Sequence, residues 1–342
     1  MLEILDIERH PRIRAAWEEL LTKAGLKVDP PCPRVLGLFE DGQLIASGTR
    51  DHNRIKCVAV APDFQGGPAF NRIMSGLITD AYEEGVEHLF LYTKKEAVHA
   101  FSHLGFHPLA STADGVTFME RGISRIDDYL QKLKEESARH WEEPGPAESI
   151  VMNANPFTLG HRALVEDALS RASRLHLFIL SEDLSEVPAD IRFHLVREGT
   201  KDLPGIIYHP TDSYIITRAS FPTYFLKQEN EGTRTQARLD AILFRDSIAP
   251  TLGITGRTVG DEPFDRVTSI YNECLKEELE GKIQLTLMPR VTTEDGLVIS
   301  ASQVREELLS GPIGKIRPLV PDSTYNFFRS EEGRRLVQSW KE

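Results

Sequence analysis

One short stretch, residues 149–173, restricts the fold of this chain more than any other part of it. Residues 150–152 form an apolar run typical of a buried strand, and residues 153–157 carry the Asn and Pro of a sharp turn. After His161, apolar residues recur at the spacing of one helical face, at positions 164, 165, 168, 169 and 172. The stretch therefore predicts a strand, a tight turn and a helix.

The turn of this stretch has the chemistry of a phosphate site. In an open parallel sheet it would lie at the carboxyl end of a strand, where ligands bind, and the helix N-terminus would attract phosphate. Gly160 lets a ligand approach the backbone, Thr158 supplies a hydroxyl, and His161 can offer a proton near neutral pH. These residues suit a nucleoside triphosphate better than an apolar ligand, although an ordinary turn with a solvated histidine has the same sequence.

A second segment far downstream has complementary chemistry. The apolar residues 297–299 precede Ser300 and Ser302, either of which is a good helix N-cap, and Arg305 would lie in the first helical turn. A cation is unfavourable there, because the first turn prefers anions. A phosphate between the helix and Arg305 would remove the conflict; the alternative is a capped surface helix with an exposed arginine.

The two segments together resemble the nucleotidylyltransferase superfamily, whose signatures are (His/Thr)-x-Gly-His and Ile-Ser-x-Ser-x-x-Arg. They are matched by Thr158-Leu-Gly160-His161 and by Ile299-Ser300-Ala-Ser302-Gln-Val-Arg305. The resemblance implies attack on the α-phosphate of a nucleotide with diphosphate leaving. Thr158 and His161 would stabilise the transition state at the α-phosphate, His161 as a cationic or neutral donor, and the motif from Ser300 to Arg305 would hold the β- and γ-phosphates.

The first half of the chain predicts a separate α+β domain over residues 1–122. We expect helices within residues 1–30, a hairpin of strands 34–39 and 43–49, further strands at 55–61, 88–93 and 116–120, and helices ending near 84 and 104. The order resembles the acetyltransferase (GNAT) fold, whose pyrophosphate loop reads (Gln/Arg)-x-x-Gly-x-(Gly/Ala). Gln65, Gly66 and Gly67 would form a partial cradle for a coenzyme A-like arm, but Pro68 removes a backbone N–H and Phe70 departs from the pattern. A structural or partner-docking module is the alternative.

The remaining chain predicts a helical connector, residues 123–147, and a doubly wound, Rossmann-like α/β domain, residues 148–342. Strands are expected at 175–180, 206–209, from 254 and at 284–288, with helices at 189–201 and 234–247. Alternation of strands and helices with short loops is typical of a parallel sheet with helices on both faces.

The composition excludes several classes of protein. Apolar residues make up 40% of the 342 and charged residues 27%, as in water-soluble globular proteins. No apolar run reaches the roughly 18 residues of a membrane span, and the acidic N-terminus does not look like a signal peptide. The net charge of −12 argues against a nucleic-acid partner. Three cysteines without metal or disulfide spacing indicate a reduced, cytoplasmic protein.

The pairing of these two domains resembles the citrate lyase ligase family over nearly the whole chain, through segments 155–161, 221–227 and 257–263. The resemblance implies that acetate attacks ATP to give acetyl-adenylate and diphosphate. The thiol of the phosphoribosyl-dephospho-coenzyme A arm on the citrate lyase acyl-carrier subunit then takes the acetyl group, releasing AMP. Mg²⁺ is expected with the ATP. By the same resemblance, further ATP contacts are assigned to Asn155, Phe157, Arg257, Gly260 and Glu262.

Two other functions use the same motifs. A small-molecule adenylyltransferase would form a dinucleotide or coenzyme A precursor without releasing AMP, and it would leave the first domain unexplained. A non-catalytic carrier-binding module would keep the motifs as remnants, and replacing His161 by Ala would leave its function intact.

Overall fold

The computed structural model describes residues 1–140, 146–181, 185–215, 229–261, 266–293, 295–296 and 298–341. The chain forms two compact units: Met1–Tyr129 with Thr217–Leu239, and Leu130–Ile216 with Asp240–Glu342. The domain limits at 122 and 147 stay predictions. No helix in the described part of the chain combines the length and apolarity needed to cross a bilayer.

The secondary structure comprises strands and helices in both units. The strands are β1 Leu2–Ile4, β2 Arg34–Glu40, β3 Gln43–Asp51, β4 Arg54–Val60, β5 Leu89–Lys94, β6 His107–Ser111, β7 Val116–Arg121, β8 Ala147–Met152, β9 Leu175–Ile179, β10 Ile206–Pro210, β11 Ile254–Gly260 and β12 Gln284–Met288. The α-helices are α1 Pro11–Lys23, α2 Ala69–Glu83, α3 Val98–Ser102, α4 Ile126–Ala138, α5 Leu159–Arg171, α6 Ala189–Thr200, α7 Glu229–Leu243, α8 Ala249–Leu252, α9 Arg266–Leu279, α10 Ala301–Ser310, α11 Asp322–Arg329 and α12 Glu331–Ser339.

The first unit is built on a seven-stranded sheet in the order β1-β2-β3-β4-β5-β7-β6. Neighbouring strands run antiparallel except β4 and β5, which are parallel and pair only at Arg54–Phe90 and Ile55–Leu91. Beyond these pairs the two strands separate. Two edge strands were not predicted: β1 lies where only helices were expected, and β6 was missed.

The second unit is a five-stranded, all-parallel sheet in the order β10-β9-β8-β11-β12. In chain order this is 3-2-1-4-5, so the direction of winding reverses between β8 and β11. Pairing of β8 with β11 ends at Ser149–Arg257, whereas β8 continues to pair with β9 as far as Met152. The topological switch point therefore lies beside the end of β8, the position at which open α/β sheets bind ligands.

The fold class predicted from the sequence is confirmed: an α+β domain of acetyltransferase type is followed by a doubly wound α/β domain. The core of the second sheet is the predicted apolar face of residues 150–168. Ile150, Val165 and Ala168 are fully buried with the β9 residues Leu175 and Leu177. Burying this face fixes α5 against the sheet, and its N-terminus then lies at the end of β8.

Candidate active site

The first turn of α5 is built by a reciprocal cap. Thr158 is the N-cap, and its Oγ1 accepts a hydrogen bond from the backbone N–H of His161 at 3.3 Å. The ring of His161 reaches back, and its Nδ1 accepts from the backbone N–H of Thr158 at 3.1 Å. This is a capping box in which histidine stands where Glu or Gln is usual. The predicted helix start is thereby fixed at Thr158, which is only 1% exposed.

The cap determines which nitrogen of His161 carries a proton. Because Nδ1 accepts from a backbone N–H, the neutral ring is protonated at Nε2, which is the donor left for a ligand. The ring is half-buried and stacks on Phe157, with centroids 5.8 Å apart and planes at 17°. Burial lowers the pKa of His161 from its ordinary 6.5 to about 4. Of the two predicted forms, the unliganded protein therefore holds the neutral donor.

The two predicted motifs lie against each other. A Cβ added at Gly160 would stand 3.2 Å from the carbonyl oxygen of Ile299, so the α5 turn and the loop before α10 are in close contact. Arg305 Nη1 donates to the carbonyl oxygen of Asn155 at 2.6 Å, across 150 positions of sequence. The sequence predicted that these segments meet over one triphosphate; the structure brings the protein parts of that arrangement together.

The second motif begins a helix as expected. Ser300 is the N-cap of α10, and its hydroxyl accepts from the backbone N–H of Gln303 at 3.2 Å. Ser302 is exposed in the first turn, and Arg305 is partly exposed with 22% of its side chain accessible. Two helix N-termini and one guanidinium thus share the edge of the sheet beside β8. This concentration of donors suits an anion with several charges.

Two further residues lie at this edge: Arg192, for which the sequence left open a phosphate contact or an ordinary surface charge, and Glu186, which the sequence did not single out. Arg192 is fully buried on α6 and donates to the carbonyl oxygens of Leu180, Val187 and Asn153 at 2.7–3.0 Å. It ties the loop after β9 to the loop after β8, so it is neither a surface charge nor a free phosphate ligand. Glu186 forms an ion pair with Arg305, with Oε1 3.2 Å from Nε. The sequence signal was weak for both, because each acts through distant partners.

The other predicted nucleotide contacts lie in different settings. Gly260 ends β11 at the same edge of the sheet, and a Cβ there would meet none of the described residues within 4 Å. Arg257 does not lie with the two turns. It is 1% exposed, its Nη2 contacts Asp240 at 3.4 Å and the hydroxyl of Tyr271 at 2.9 Å, and its guanidinium covers the Phe244 ring. A nucleotide contact by Arg257 would require this buried cluster to open.

Several predicted residues lie outside the part of the chain that the structure describes. These are Glu262, the segment 221–227 and the end of the segment 257–263. Phe157 and Asn155 are buried at 0% and 6% exposure within the first turn. The carbonyl oxygen of Phe157 accepts from Thr324 Oγ1 at 2.9 Å, which holds the turn against α11. Phe157 therefore supports the His161 ring, and a direct contact of Phe157 with ATP stays a prediction.

In the first unit, the separation of β4 from β5 leaves a cavity of about 580 Å³. Gln65 and Gly66 are among its lining residues, with Tyr92 and Lys94 from β5; Gly67 is not. Gly66 adopts a left-handed φ of 77°, which a Cβ would strain. Pro68 is the N-cap of α2 and offers no N–H, as the sequence predicted.

Metal ligation by the protein alone was tested on the described residues. They contain no group of three or more His, Cys, Asp or Glu side chains placed to hold a metal ion. Mg²⁺ often binds through one or two carboxylates together with substrate phosphates and water. An Mg²⁺ at this edge would therefore take most of its ligands from the nucleotide phosphates and water.

Comparison with solved structures finds N-acetyltransferases among the matches. The crystal structure of Escherichia coli ElaA matches with a TM-score of 0.30 and 16% identity, over 35% of this chain and 98% of that chain. A ribosomal-protein-alanine N-acetyltransferase from Brucella melitensis matches with a TM-score of 0.29 and 14% identity, over 36% and 99%. At these TM-scores the likeness carries no functional conclusion.

Comparison by sequence gives a closer match over the whole chain. Residues 147–328 match the model of the citrate lyase ligase C-terminal domain. Citrate (pro-3S)-lyase ligase of Escherichia coli K12 is 37% identical over 319 residues, which is 91% of this chain and 89% of that protein. The Klebsiella pneumoniae protein of the same name is 36% identical over 92% of each chain. This chain therefore belongs to the citrate lyase ligase family.

Proposed function

We propose that this protein activates citrate lyase by acetylating the thiol of the arm on its acyl-carrier subunit, with ATP as the energy source. The observation that carries the proposal is the contact between the two motif turns. Gly160 lies beside the Ile299 carbonyl, and Arg305 reaches the Asn155 carbonyl. A triphosphate on these turns would meet donors from both helices at once. The names of the relatives supply the target enzyme.

The first step is adenylation of acetate. A carboxylate oxygen of acetate attacks the α-phosphorus of ATP, and the bond to the oxygen bridging to the β-phosphate breaks, giving acetyl-adenylate and diphosphate. His161 would donate from neutral Nε2 to an α-phosphate oxygen, because Thr158 fixes its tautomer. Ser300, Ser302 and Arg305 would hold the leaving diphosphate. Mg²⁺ bound to the phosphates would neutralise the leaving charge.

No general base is needed in this step. Acetate is already ionised near neutral pH, so the protein contributes orientation and charge stabilisation. The lowered pKa of His161, about 4 because of burial, makes the ring of the unliganded protein a poor base and a neutral donor at pH 7. This agrees with a role in stabilising charge on the α-phosphate.

The second step is transfer to the carrier. The arm's thiolate attacks the acetyl carbon, the bond from that carbon to the phosphate oxygen breaks, and AMP leaves; the thiol proton passes to solvent. The cavity between β4 and β5 of the first unit is the candidate position for the arm, with Gln65, Gly66 and the adjacent Gly67 at the loop. Pro68 has no N–H, which weakens the binding of phosphate at this loop. The alternative role of this unit is to dock the carrier subunit without binding its arm.

The proposal is tested by supplying the protein with ATP, Mg²⁺, acetate and deacetylated citrate lyase. We expect AMP and diphosphate in equal amounts together with restored lyase activity. Omitting the lyase should leave acetate-dependent exchange of diphosphate into ATP, with almost no AMP. Formation of ADP would contradict the proposal. Retention of AMP within a stable dinucleotide product would indicate a small-molecule adenylyltransferase instead.

A further inference from the structure

The carboxylate of Glu186 joins the two motif turns in the unliganded protein. One oxygen, Oε2, accepts from Asn155 Nδ2 at 2.5 Å, and the other, Oε1, lies 3.2 Å from Arg305 Nε. The side chain is 47% exposed, so burial does not hold it in place. Exposed ion pairs usually contribute little to stability. The question is therefore what this pair does for the site.

The backbone that carries Glu186 is fixed on two sides. Its carbonyl oxygen accepts from the indole N–H of Trp340 at 2.8 Å. The next residue, Val187, is fully buried, and its N–H donates to Asn155 Oδ1 at 3.0 Å. The amide of Asn155 thus binds both the carboxylate of Glu186 and the following peptide. A carboxylate on such an anchored segment is placed with little freedom.

This placement determines the orientation of the Arg305 guanidinium. Glu186 engages Nε, and the Asn155 carbonyl engages Nη1 at 2.6 Å. Among the described residues, Nη2 has no hydrogen-bond partner, so this nitrogen is left for an anion. A guanidinium held at two nitrogens presents its third in one direction, which is the preorganisation that phosphate binding requires.

We propose that Glu186 is a positioning residue, which orients Arg305 for the β- and γ-phosphates without touching them itself. This inference rests on the proposed function, because it assumes that Arg305 binds the triphosphate. The carboxylate remains paired with Nε when the nucleotide is bound, because the hydrogen bond from Asn155 Nδ2 holds it beside Arg305. It plays the part that outer-shell partners play for metal ligands, where removal typically costs 10–100-fold in affinity.

Although burial opposes ionisation of the carboxyl, the hydrogen bond from Asn155 and the charge of Arg305 hold the pKa of Glu186 below its ordinary value. The group is therefore charged throughout the neutral range, and Arg305 is held at every pH used for assay.

The test is a double-mutant cycle on ligand affinity. Binding of Mg²⁺-ATP and of inorganic triphosphate is measured by calorimetry for wild type, Glu186→Ala, Arg305→Ala and the double variant. We expect Glu186→Ala to weaken both ligands by about tenfold and Arg305→Ala to weaken them more. In the Arg305→Ala background, loss of Glu186 should have no further effect, because Glu186 acts through Arg305.

The control is Glu198→Ala, which removes an exposed ion pair of α6 with Lys201. Glu198 is 43% exposed, close to the value for Glu186, and we expect no change in affinity. Glu186→Gln keeps the size of the side chain and should weaken binding less than Glu186→Ala. Melting temperatures of all variants show that each is folded.

Three results would overturn the inference. Tighter ligand binding by Glu186→Ala would mean that the carboxylate competes with phosphate. Unchanged binding would mean that the Glu186–Arg305 pair has no role in ligand affinity. Losses of affinity that add up in the double variant would mean that Glu186 acts independently of Arg305. Failure of the proposed function looks different. If the two single variants lose triphosphate affinity in the expected non-additive way but the wild type forms no AMP, the ligase reaction alone is refuted. If the wild type binds no polyphosphate, the ligase reaction and the role of Glu186 are both refuted.

Discussion

Replacement of His161 gives the sharpest test of the site. The proposed function gives this ring one task, that of a neutral Nε2–H donor, fixed in direction because Nδ1 accepts from the Thr158 backbone. Loss of one preorganised donor to a developing oxyanion costs about 3–4 kcal/mol of transition-state stabilisation. This corresponds to a rate loss on the order of 10²–10³. We therefore expect His161→Ala to reduce acetate-dependent ATP–diphosphate exchange by at least about a hundredfold, with a smaller change in the KM for ATP.

A second variant separates the donor from the cap. Glutamine at this position can accept from the Thr158 backbone N–H, as it does in ordinary capping boxes. His161→Gln should therefore unfold close to the wild-type temperature and still lose exchange activity. His194→Ala, an exposed histidine of α6, is the control and should leave exchange unchanged. Undiminished exchange in His161→Ala would refute the role of the ring.

The protonation state can be measured directly. With a pKa of about 4, roughly one ring in a thousand is charged at pH 7, so kcat/KM for ATP should show no ionisation of His161 between pH 5.5 and 8. Nitrogen chemical shifts of the ring should report a neutral Nε2–H tautomer over that range. A ring protonated at Nδ1, or one that titrates near 6.5, would contradict the reasoning.

Two further predictions concern the stability of the second unit. Arg192→Met should lower the free energy of unfolding by about 3–5 kcal/mol in denaturant titration, because the carbonyls of Leu180 and Val187 lose a buried charged donor. The control is Arg197→Met on the exposed side of α6, which should cost under about 1 kcal/mol. Burial and then the charge of His209 lower the pKa of His176 to about 3, so the folded protein keeps this ring neutral while the unfolded chain takes up a proton below pH 6.5. The contribution of His176 to the free energy of unfolding should be fully present above pH 6.5 and fall by about 1 kcal/mol between pH 6.5 and 5.5. In melting experiments over this pH range, His176→Asn should show a smaller fall in stability than the wild type.

Local signals in the sequence predicted both helices and offered Ser300 as the cap of the second, whereas the cap formed by Thr158 was not predicted. Thr158 and Ser300 are N-caps in the structure because a cap needs only one side chain and a backbone N–H three residues away. With Ser300 as the cap, Arg305 is the fifth residue of α10, just beyond the first turn in which it was expected. Interactions within a few residues can be inferred from residue type and spacing alone. The two motif turns can therefore be predicted from the sequence without knowledge of any tertiary contact.

The surroundings of Arg257 could not be predicted from the sequence, and its contact with ATP stays a prediction. Its motif sits on β11, whose residues are largely buried, so alternation along the strand does not tell which face is covered. In the structure the Arg257 guanidinium contacts Asp240, Tyr271 and the Phe244 ring. The edge strands β1 and β6 were missed for a related reason. Each is short and exposed at several positions, so it lacks a strong apolar pattern.

The position of Glu186 could be inferred from the strand order, but its contact with Arg305 could not be inferred from the sequence. Parallel neighbours end at the same edge of a sheet, so the order β9-β8-β11 alone places the loop after β9 beside the loop after β8. The sequence of that loop offers three acidic residues, Glu182, Asp183 and Glu186, and no periodicity distinguishes them. What selects Glu186 is the peptide after it, because Val187 is buried and its N–H is bound by Asn155. Because Val187 is anchored, the backbone of the neighbouring Glu186 is fixed as well, on the side of the loop that faces Arg305. The carboxylate of Glu186 then pairs with the Arg305 guanidinium.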